Sequence, residues 1–299
     1  MKTLLAILMT FCINSSAAVL SSSVLMFHEW EFESCSEQVH KSSLLNNKYL
    51  TLMYTFHFKV DESQKLTGFC LKNKNNGCSD SSEKLISKVK SYYTNCLQKL
   101  NELKIKPTFL FHIDEWGNNG IWRNYLKFDP LVRYGDRPSY NQLIIEPLLD
   151  ALEENDIKQS DVAIQGEMGA TVFHAPKSYE SIVKNIQKRG QRAGLSLNYN
   201  RISGKVKVKV EETQKLFNNL DFLGFSAYAP LRKFFPMSLK TNDFKKYKTD
   251  FLLKLKNLGL YISSDLPLQF SEIGIGGGNW KNDGHSKADS PKIAGIFSS

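Results

Sequence analysis

A chain of 299 residues with 41% hydrophobic and 23% charged side chains carries enough apolar material for one large folded domain, which excludes a disordered or collagen-like polymer. Lys and Arg number 39 against 30 Asp and Glu, a net charge of +9 spread along the chain rather than set among nucleic-acid motifs. No nucleic-acid partner is expected. The basic balance reads first as a solvated surface and second as an affinity for a cell-wall or acidic polysaccharide.

The chain opens on Lys2, an apolar run over 4–13 and the small residues Ser16, Ala17 and Ala18. That order predicts a cleaved secretory signal peptide over 1–18 and leaves a single domain over 19–299. No later stretch is long and apolar enough to span a bilayer, so no membrane anchor is expected after cleavage, and a secreted monomer is. Cys12 leaves with the signal. In an oxidising compartment Cys35, Cys70, Cys78 and Cys96 then predict two disulfides. Three connectivities are open, and Cys70–Cys78 across "CLKNKNNGC" with Cys35–Cys96 is favoured over free thiols. The absence of a CxxC pair speaks against zinc.

The elements follow in order. "VLMFHEWEF" (24–32) and "YLTLMYTFHF" (49–58) read as the first two strands. A long helix over 81–105 starts at Ser81 or Ser82. "TFLFHIDEW" (108–116) is the third strand, and 139–155 is a helix that Pro147 must kink or restart. "DVAIQGEMG" is the fourth strand, and 178–194 a helix closed by glycine. "LSLNYN" (195–200) is the fifth strand, 211–220 a helix, and "DFLGFSAYAPL" (221–231) the sixth strand. A helix over 242–260, with "KKYK" (245–248) on its solvated face, leads to the seventh strand, "LPLQFSEIGIGG" (266–277). "KVKVKV" (205–210) suits an exposed edge strand or hairpin.

Strand and helix in alternation predict an α/β fold with a parallel sheet. Seven such strands fit a (β/α)8 TIM barrel better than an open Rossmann-type sheet, because no glycine fingerprint follows the first strand. Few residues follow Glu272, so the barrel is expected to be incomplete, or divergent, at its C-terminal eighth unit.

Barrel chemistry sits at the carboxyl ends of the strands. Those ends carry His28, Glu29 and Trp30; His57; His112, Asp114, Glu115 and Trp116; Glu167; Asn198 and Asn200; Ser226 and Tyr228; and Glu272. On the fifth strand Ser196, Asn198 and Asn200 share one face. On the sixth Gly224, Ser226 and Tyr228 do. Glu167 and Glu272 end the fourth and seventh strands, on opposite sides of a ring, so their carboxyl groups can meet across a scissile bond. Retaining glycoside hydrolysis uses such a pair, one nucleophile and one acid that later serves as base.

"QGEMG", "DFLGFSAYAPL" and "PLQFSEIGIGGG", in this order over roughly 20–280, resemble the clan of (β/α)8 retaining glycoside hydrolases with glutamates on strands four and seven. That clan includes β-mannanases, endo-galactanases and β-glucanases. The resemblance implies Glu167 as acid/base, Glu272 as nucleophile, Tyr228 as its support, a carbohydrate substrate and no cofactor. It also exposes two departures. The clan has asparagine before the strand-four glutamate, touching the sugar 2-hydroxyl, where this chain has Gly166; Gln165 can replace it only through a bulge. The clan often has an arginine near the end of strand two, where this chain offers His57 and Lys59.

Trp30, Trp116, Trp122 and Trp280 are candidate platforms for sugar rings, and His112 and Asp114 candidate sugar contacts. "WGNNGIWRNYLKFDP" (116–130) reads as a cleft wall, with Asp129, Arg133, Asp136 and Arg137 forming ion pairs beside it. "GIGGGNW" (274–280) reads as a rim loop. Two other functions remain open. One is a catalytically silent carbohydrate-binding barrel, suggested by the two departures. The other is a metal-dependent hydrolase in which His28, His57 and His112 converge with Asp114.

Overall fold

The computed structural model describes residues 21–45, 48–75, 77–79, 82–117, 120–229 and 241–275. The predicted signal peptide, the eighth barrel unit and the rim loop beyond 275 lie outside them, as does the Tyr228 side chain. β1 (Ser22–Met26) leads through α1 (Glu29–Glu33) and α2 (Cys35–Ser43) to β2 (Tyr49–Val60), β3 (Leu66–Lys72) and β4 (Cys78–Ser79). α3 (Glu83–Glu102), β5 (Lys106–Glu115), α4 (Glu146–Glu154), β6 (Asp161–Gly166), α5 (Gly169–His174) and α6 (Pro176–Lys188) follow. β7 (Arg192–Asn198), α7 (Val210–Asn218), β8 (Phe222–Ala229), α8 (Thr241–Asn257) and β9 (Leu268–Ile275) complete the described chain.

β1, β2, β5, β6, β7, β8 and β9 run parallel in that spatial order. Among the described residues β1 and β9 do not pair, so the sheet stays open where an eighth unit would close it. The parallel strands carry near-continuous apolar sequence because both faces are covered. Leu85, Val89, Tyr93, Cys96, Leu97 and Leu100 form the buried stripe of α3, and the Ser82 hydroxyl accepts the Leu85 amide at its start. Pro147 sits in the first turn of α4, where its missing N–H costs least, and a π-helical turn over Asn141–Ile145 precedes it.

Inside the curved sheet, Met53, Leu110, Ala163 and Phe222 form a small apolar layer apart from the main core. Phe222 lies over Gly194, where a Cβ would come within 2.3 Å of the ring. Beneath them Arg192 pairs with Asp161 at 2.9 Å, and Gln269 Nε2 donates to Asp161 Oδ2 at 3.1 Å. That last bond joins β9 to β6 across the lumen, so the sheet is curled as a barrel although it is not closed among the described residues.

Two register slips decide which side chains enter the upper lumen. Ala163 pairs with Gly194 and Gly166 with Ser196, three steps on β6 against two on β7. Phe225 pairs with Phe270 but Ser226 with Glu272, so Ser271 is the extra residue on β9. Strand alternation would put Glu272 on the outer face with Phe270, whose ring packs on Phe225 at 4.8 Å. The bulge reverses that and turns Glu272 inward.

The expected strands and helices are present, with four corrections. The first strand stops at Met26, and residues 29–33 are helical: the Glu31 carboxylate accepts the Phe27 and His28 amides, at 2.5 and 2.8 Å, and so favours a helix start. "KVKVKV" is not a strand; it is a turn and an extended connection that enters α7 at Val210. The sixth helix ends at Lys188, Gly190 turns at φ 77°, and Arg192 to Gly194 already belong to β7. The expected order has no strand between the second strand and the long helix, yet β3 and β4, on either side of the turn in "CLKNKNNGC", form an antiparallel extension on the upper part of β2.

Both favoured disulfides, Cys35–Cys96 and Cys70–Cys78, form, with Cα separations of 5.3 and 5.6 Å. The first closes 61 residues and the second 8, so chain entropy assigns them about 4 and about 2.5 kcal/mol. Cys96→Ser is therefore expected to lower the unfolding midpoint more than Cys78→Ser, each variant leaving one buried thiol, Cys35 or Cys70, that titrates on unfolding. Equal losses would mean that loop length does not govern the stabilisation.

Candidate active site

Glu167 follows the β6 bulge at φ 58°, a left-handed conformation that is strained by roughly 1 to 3 kcal/mol for a residue with a Cβ. Its amide donates to Ser196 O at 2.9 Å, which fixes the turn. The side chain is 6% exposed and points into the lumen. Oε1 accepts from Asn198 Nδ2 at 2.6 Å and from Ser226 Oγ at 2.5 Å, and Oε2 from Arg123 at 3.0 Å. Asn198 is itself held, since its Oδ1 accepts the amides of Asn200 and Arg201 at 3.0 and 2.9 Å.

Asn198, Ser226 and Glu272 are cross-strand partners in one row of β7, β8 and β9. Ser226 thus touches Glu167 with its hydroxyl and stands beside Glu272 on the sheet. His112 Nε2 lies 2.8 Å from Glu272 Oε1, a close contact without hydrogen-bond alignment. The His112 ring covers Gly166: a Cβ there would come within 2.3 Å of His112 Cδ2 and Nε2. The residue before Glu167 is therefore glycine because an imidazole from β5 fills its side-chain space. Gln165 does not take over the asparagine position, since its Oε1 is spent accepting the Met168 amide at 2.7 Å.

Arg123 comes from the connection after β5. One guanidinium nitrogen meets Asp114 Oδ1 at 2.7 Å and the other Glu167 Oε2 at 3.0 Å. Burial works against this charge, but Glu167, Asp114 and Glu272 outweigh it and hold the guanidinium above its ordinary range. The neighbouring Asn124 is fully buried. It donates to Arg201 O at 2.6 Å and accepts the Gly169 amide at 2.7 Å, tying together the connections after β5, β6 and β7. Gly169 and Gly204 allow that approach, because a Cβ on either would lie within 2 Å of the backbone of Ile202 or Asn124.

His57, the register partner of Asp114, is buried against the edge of Trp116. Burial pushes its imidazole down to about 4, against the pull of Asp114 and with Lys72 and His28 adding to the depression. His57 is therefore neutral at pH 7 and does not supply the positive charge expected at the end of the second strand. Lys59 pairs with Gly68 on β3, above the last contact of β2 with β5.

Of the sequence candidates, Glu167, Glu272, His112, Asp114, Asn198 and Ser226 come together, with His57 and Trp116 beside them. Others do not join. Glu29 turns outward, where it pairs with Lys88 and accepts from Tyr92 Oη at 3.2 Å. His28 caps α1 and stacks on Trp30, which is 44% exposed. Asn200 is exposed beyond the end of β7. Glu115 accepts the Ile121 amide at 2.8 Å, and Trp122 packs on Tyr125. The ion pairs expected among Asp129, Arg133, Asp136 and Arg137 do not form: Arg133 and Arg137 donate to backbone carbonyls, and Asp129 accepts from Ser178 and the Leu131 amide. Tyr228 lies on β8, and Trp280 falls outside the described residues. Among the described residues, no three His, Cys, Asp or Glu side chains are grouped to hold a metal ion, so the convergence of His28, His57 and His112 does not occur. No helix among them is long and apolar enough to cross a membrane.

Sequence reasoning missed Arg123 and Asn124. Charge accounting offered one signal: three acids at strand ends around one lumen require a cation, and Arg123 is the first arginine after Asp114 in the chain.

No family model matches this sequence, and no curated protein does. Solved structures do resemble it. A GH113 β-mannanase from Alicyclobacillus acidocaldarius superposes with a TM-score of 0.51 at 11% identity, covering 85% of this chain and 70% of that one. A GH113 β-1,4-mannanase gives 0.49 at 12% identity, covering 86% and 72%. At these identities the likeness is one of fold, and it is the first of the two that carries it. The chain has the (β/α)8 fold found in glycoside hydrolases, with the barrel left open among the described residues.

Proposed function

We propose that this chain is a secreted retaining glycoside hydrolase, one barrel domain over 19–299 behind a cleaved signal, acting on a β-linked polysaccharide or oligosaccharide. The observation that supports it most is the pairing around Ser226, whose hydroxyl donates to Glu167 while its strand partner is Glu272. Two carboxyl groups from strands 105 positions apart thereby face one lumen. The two disulfides accord with an extracellular location.

In the proposed reaction Glu167 gives its proton to the glycosidic oxygen as Glu272 attacks the anomeric carbon, and Tyr228 orients Glu272. The leaving group departs with that proton. A water molecule then loses a proton to Glu167 and attacks the glycosyl-enzyme, releasing the sugar and freeing Glu272. Asn198, Ser226 and Arg123 hold Glu167 in position as the carboxylate that serves as base; as acid it carries its proton on Oε2, where the Arg123 contact gives way while Arg123 stays on Asp114. Trp116 offers a face to the neighbouring ring. Neither a metal nor an organic cofactor takes part.

β-Mannan, named for the structural neighbour, heads a substrate panel with β-galactan and β-glucan. The expected result is reducing-sugar release from at least one, with the β-anomer formed first by proton NMR. First release of the α-anomer would replace retention by inversion. Gly166 favours one alternative, a silent carbohydrate-binding barrel, because the usual 2-hydroxyl contact is missing. Saturable binding without product would establish it.

A further inference from the structure

We infer that Arg123 is the positioning residue of this site: a guanidinium delivered by the connection after β5, clamping Asp114 and Glu167 together and offsetting part of the negative charge of the lumen. The inference rests on the glycosidase reading for its kinetic consequences and on the geometry alone for the clamp.

Asp114, Glu167 and Glu272 share one lumen, and three carboxylates gathered around the buried Glu167 repel one another unless a cation stands among them. Histidine does not meet that need at the second strand, since burial leaves His57 uncharged at pH 7. Arg123 does meet it, forking between Asp114 and Glu167 at 2.7 and 3.0 Å with Glu272 within its electrostatic reach. The fork needs two nitrogens in fixed relation, which a lysine ammonium lacks.

A residue on a loop positions others only when the loop itself is fixed. Here the next residue, Asn124, is buried and bonded to Arg201 O and to the Gly169 amide, and Gly169 opens the helix that follows Glu167. The connection bearing Arg123 is thus pinned to the segment bearing Glu167. The guanidinium Nε is buried without a hydrogen-bond partner.

The test compares Arg123→Ala and Arg123→Lys with the wild type on whichever panel substrate is cleaved. Arg123→Ala is expected to lower kcat about 100-fold with KM changed less than about threefold, the signature of misplaced reacting groups rather than lost substrate contacts. Guanidinium at tens of millimolar should restore about tenfold of that loss, and an equal concentration of potassium chloride should not. Arg123→Lys should remain about tenfold impaired, because a single ammonium cannot span both carboxylates. Unchanged kcat in Arg123→Ala, or recovery with potassium chloride alone, would overturn the inference. Should the wild type cleave nothing, the glycosidase reading fails and a double-mutant cycle decides the clamp. Arg123→Met should lower the melting midpoint by on the order of 5 °C, and by less than half as much in a Glu167→Gln background. Additive shifts would end the inference.

Discussion

Glu272→Ala is expected to lower kcat by about 10⁴-fold or more, and sodium azide to restore turnover of an aryl β-glycoside with formation of the α-glycosyl azide. Without the carboxylate no covalent glycosyl-enzyme forms. A small anion in the vacated space then attacks the anomeric carbon directly and inverts it once. Glu167→Ala should behave differently. An aryl leaving group needs little protonation, so Glu272 still forms the glycosyl-enzyme, which then waits for a base that is gone. Azide needs no base and should discharge that intermediate to the β-glycosyl azide. The two products distinguish the roles within one experiment. An α-azide from the Glu167 variant and a β-azide from the Glu272 variant would exchange them. Full activity in both would remove the pair from the chemistry. The fold should survive either change. Loss of Glu167 leaves Arg123 paired with Asp114 and Asn198 bonded to the Asn200 and Arg201 amides, and Glu272 is partly exposed.

Strand order and the polar strand ends were legible because parallel strands buried on both faces carry long apolar runs, interrupted only where the lumen opens. The glutamates stand out there because a carboxylate is costly to bury without a purpose. The fine placement was not legible. Both acids enter the lumen through a bulge, and an extra residue in one strand leaves no trace in a hydrophobic pattern. Alternation alone would put Glu272 outside with Phe270. "FHEWEF" has the spacing of a strand, but Glu31 turns back onto the amides before it and starts a helix instead. Arg123 lay hidden for a different reason. Its partners are 9 and 44 positions away, and a loop carries no periodicity to announce where its side chains point. The charge alternation of "KVKVKV" misled because the valines only lean on the core between a turn and α7.

Gly166→Asn, which would install the residue usual before the strand-four glutamate in the clan this chain resembles, is expected to damage the protein rather than improve it. The first atom of any new side chain would come within 2.3 Å of the His112 ring, and His112 is buried between β2 and β6 with little freedom to yield. Overpacking of this kind costs about 1–3 kcal/mol. The melting midpoint should fall by about 2–10 °C. Displacing His112 also takes its imidazole away from Glu272, now 2.8 Å distant, so kcat should fall about 100-fold beyond any loss of folded protein. The two positions act as one volume, so shrinking the ring should repair the damage. His112→Ala alone opens a cavity and is expected to be destabilising. Combined with Gly166→Asn it should recover most of the melting midpoint, because the amide occupies the space the ring has left. Recovery of activity in the same double variant would mean that asparagine and histidine are alternative solutions to one task, contact with the sugar beside the nucleophile. Recovery of stability alone would confine the exchange to packing and leave His112 with a role of its own at Glu272. A Gly166→Asn single variant that melts and turns over like the wild type would show that His112 is free to move aside, and the explanation given for glycine at this position would fall.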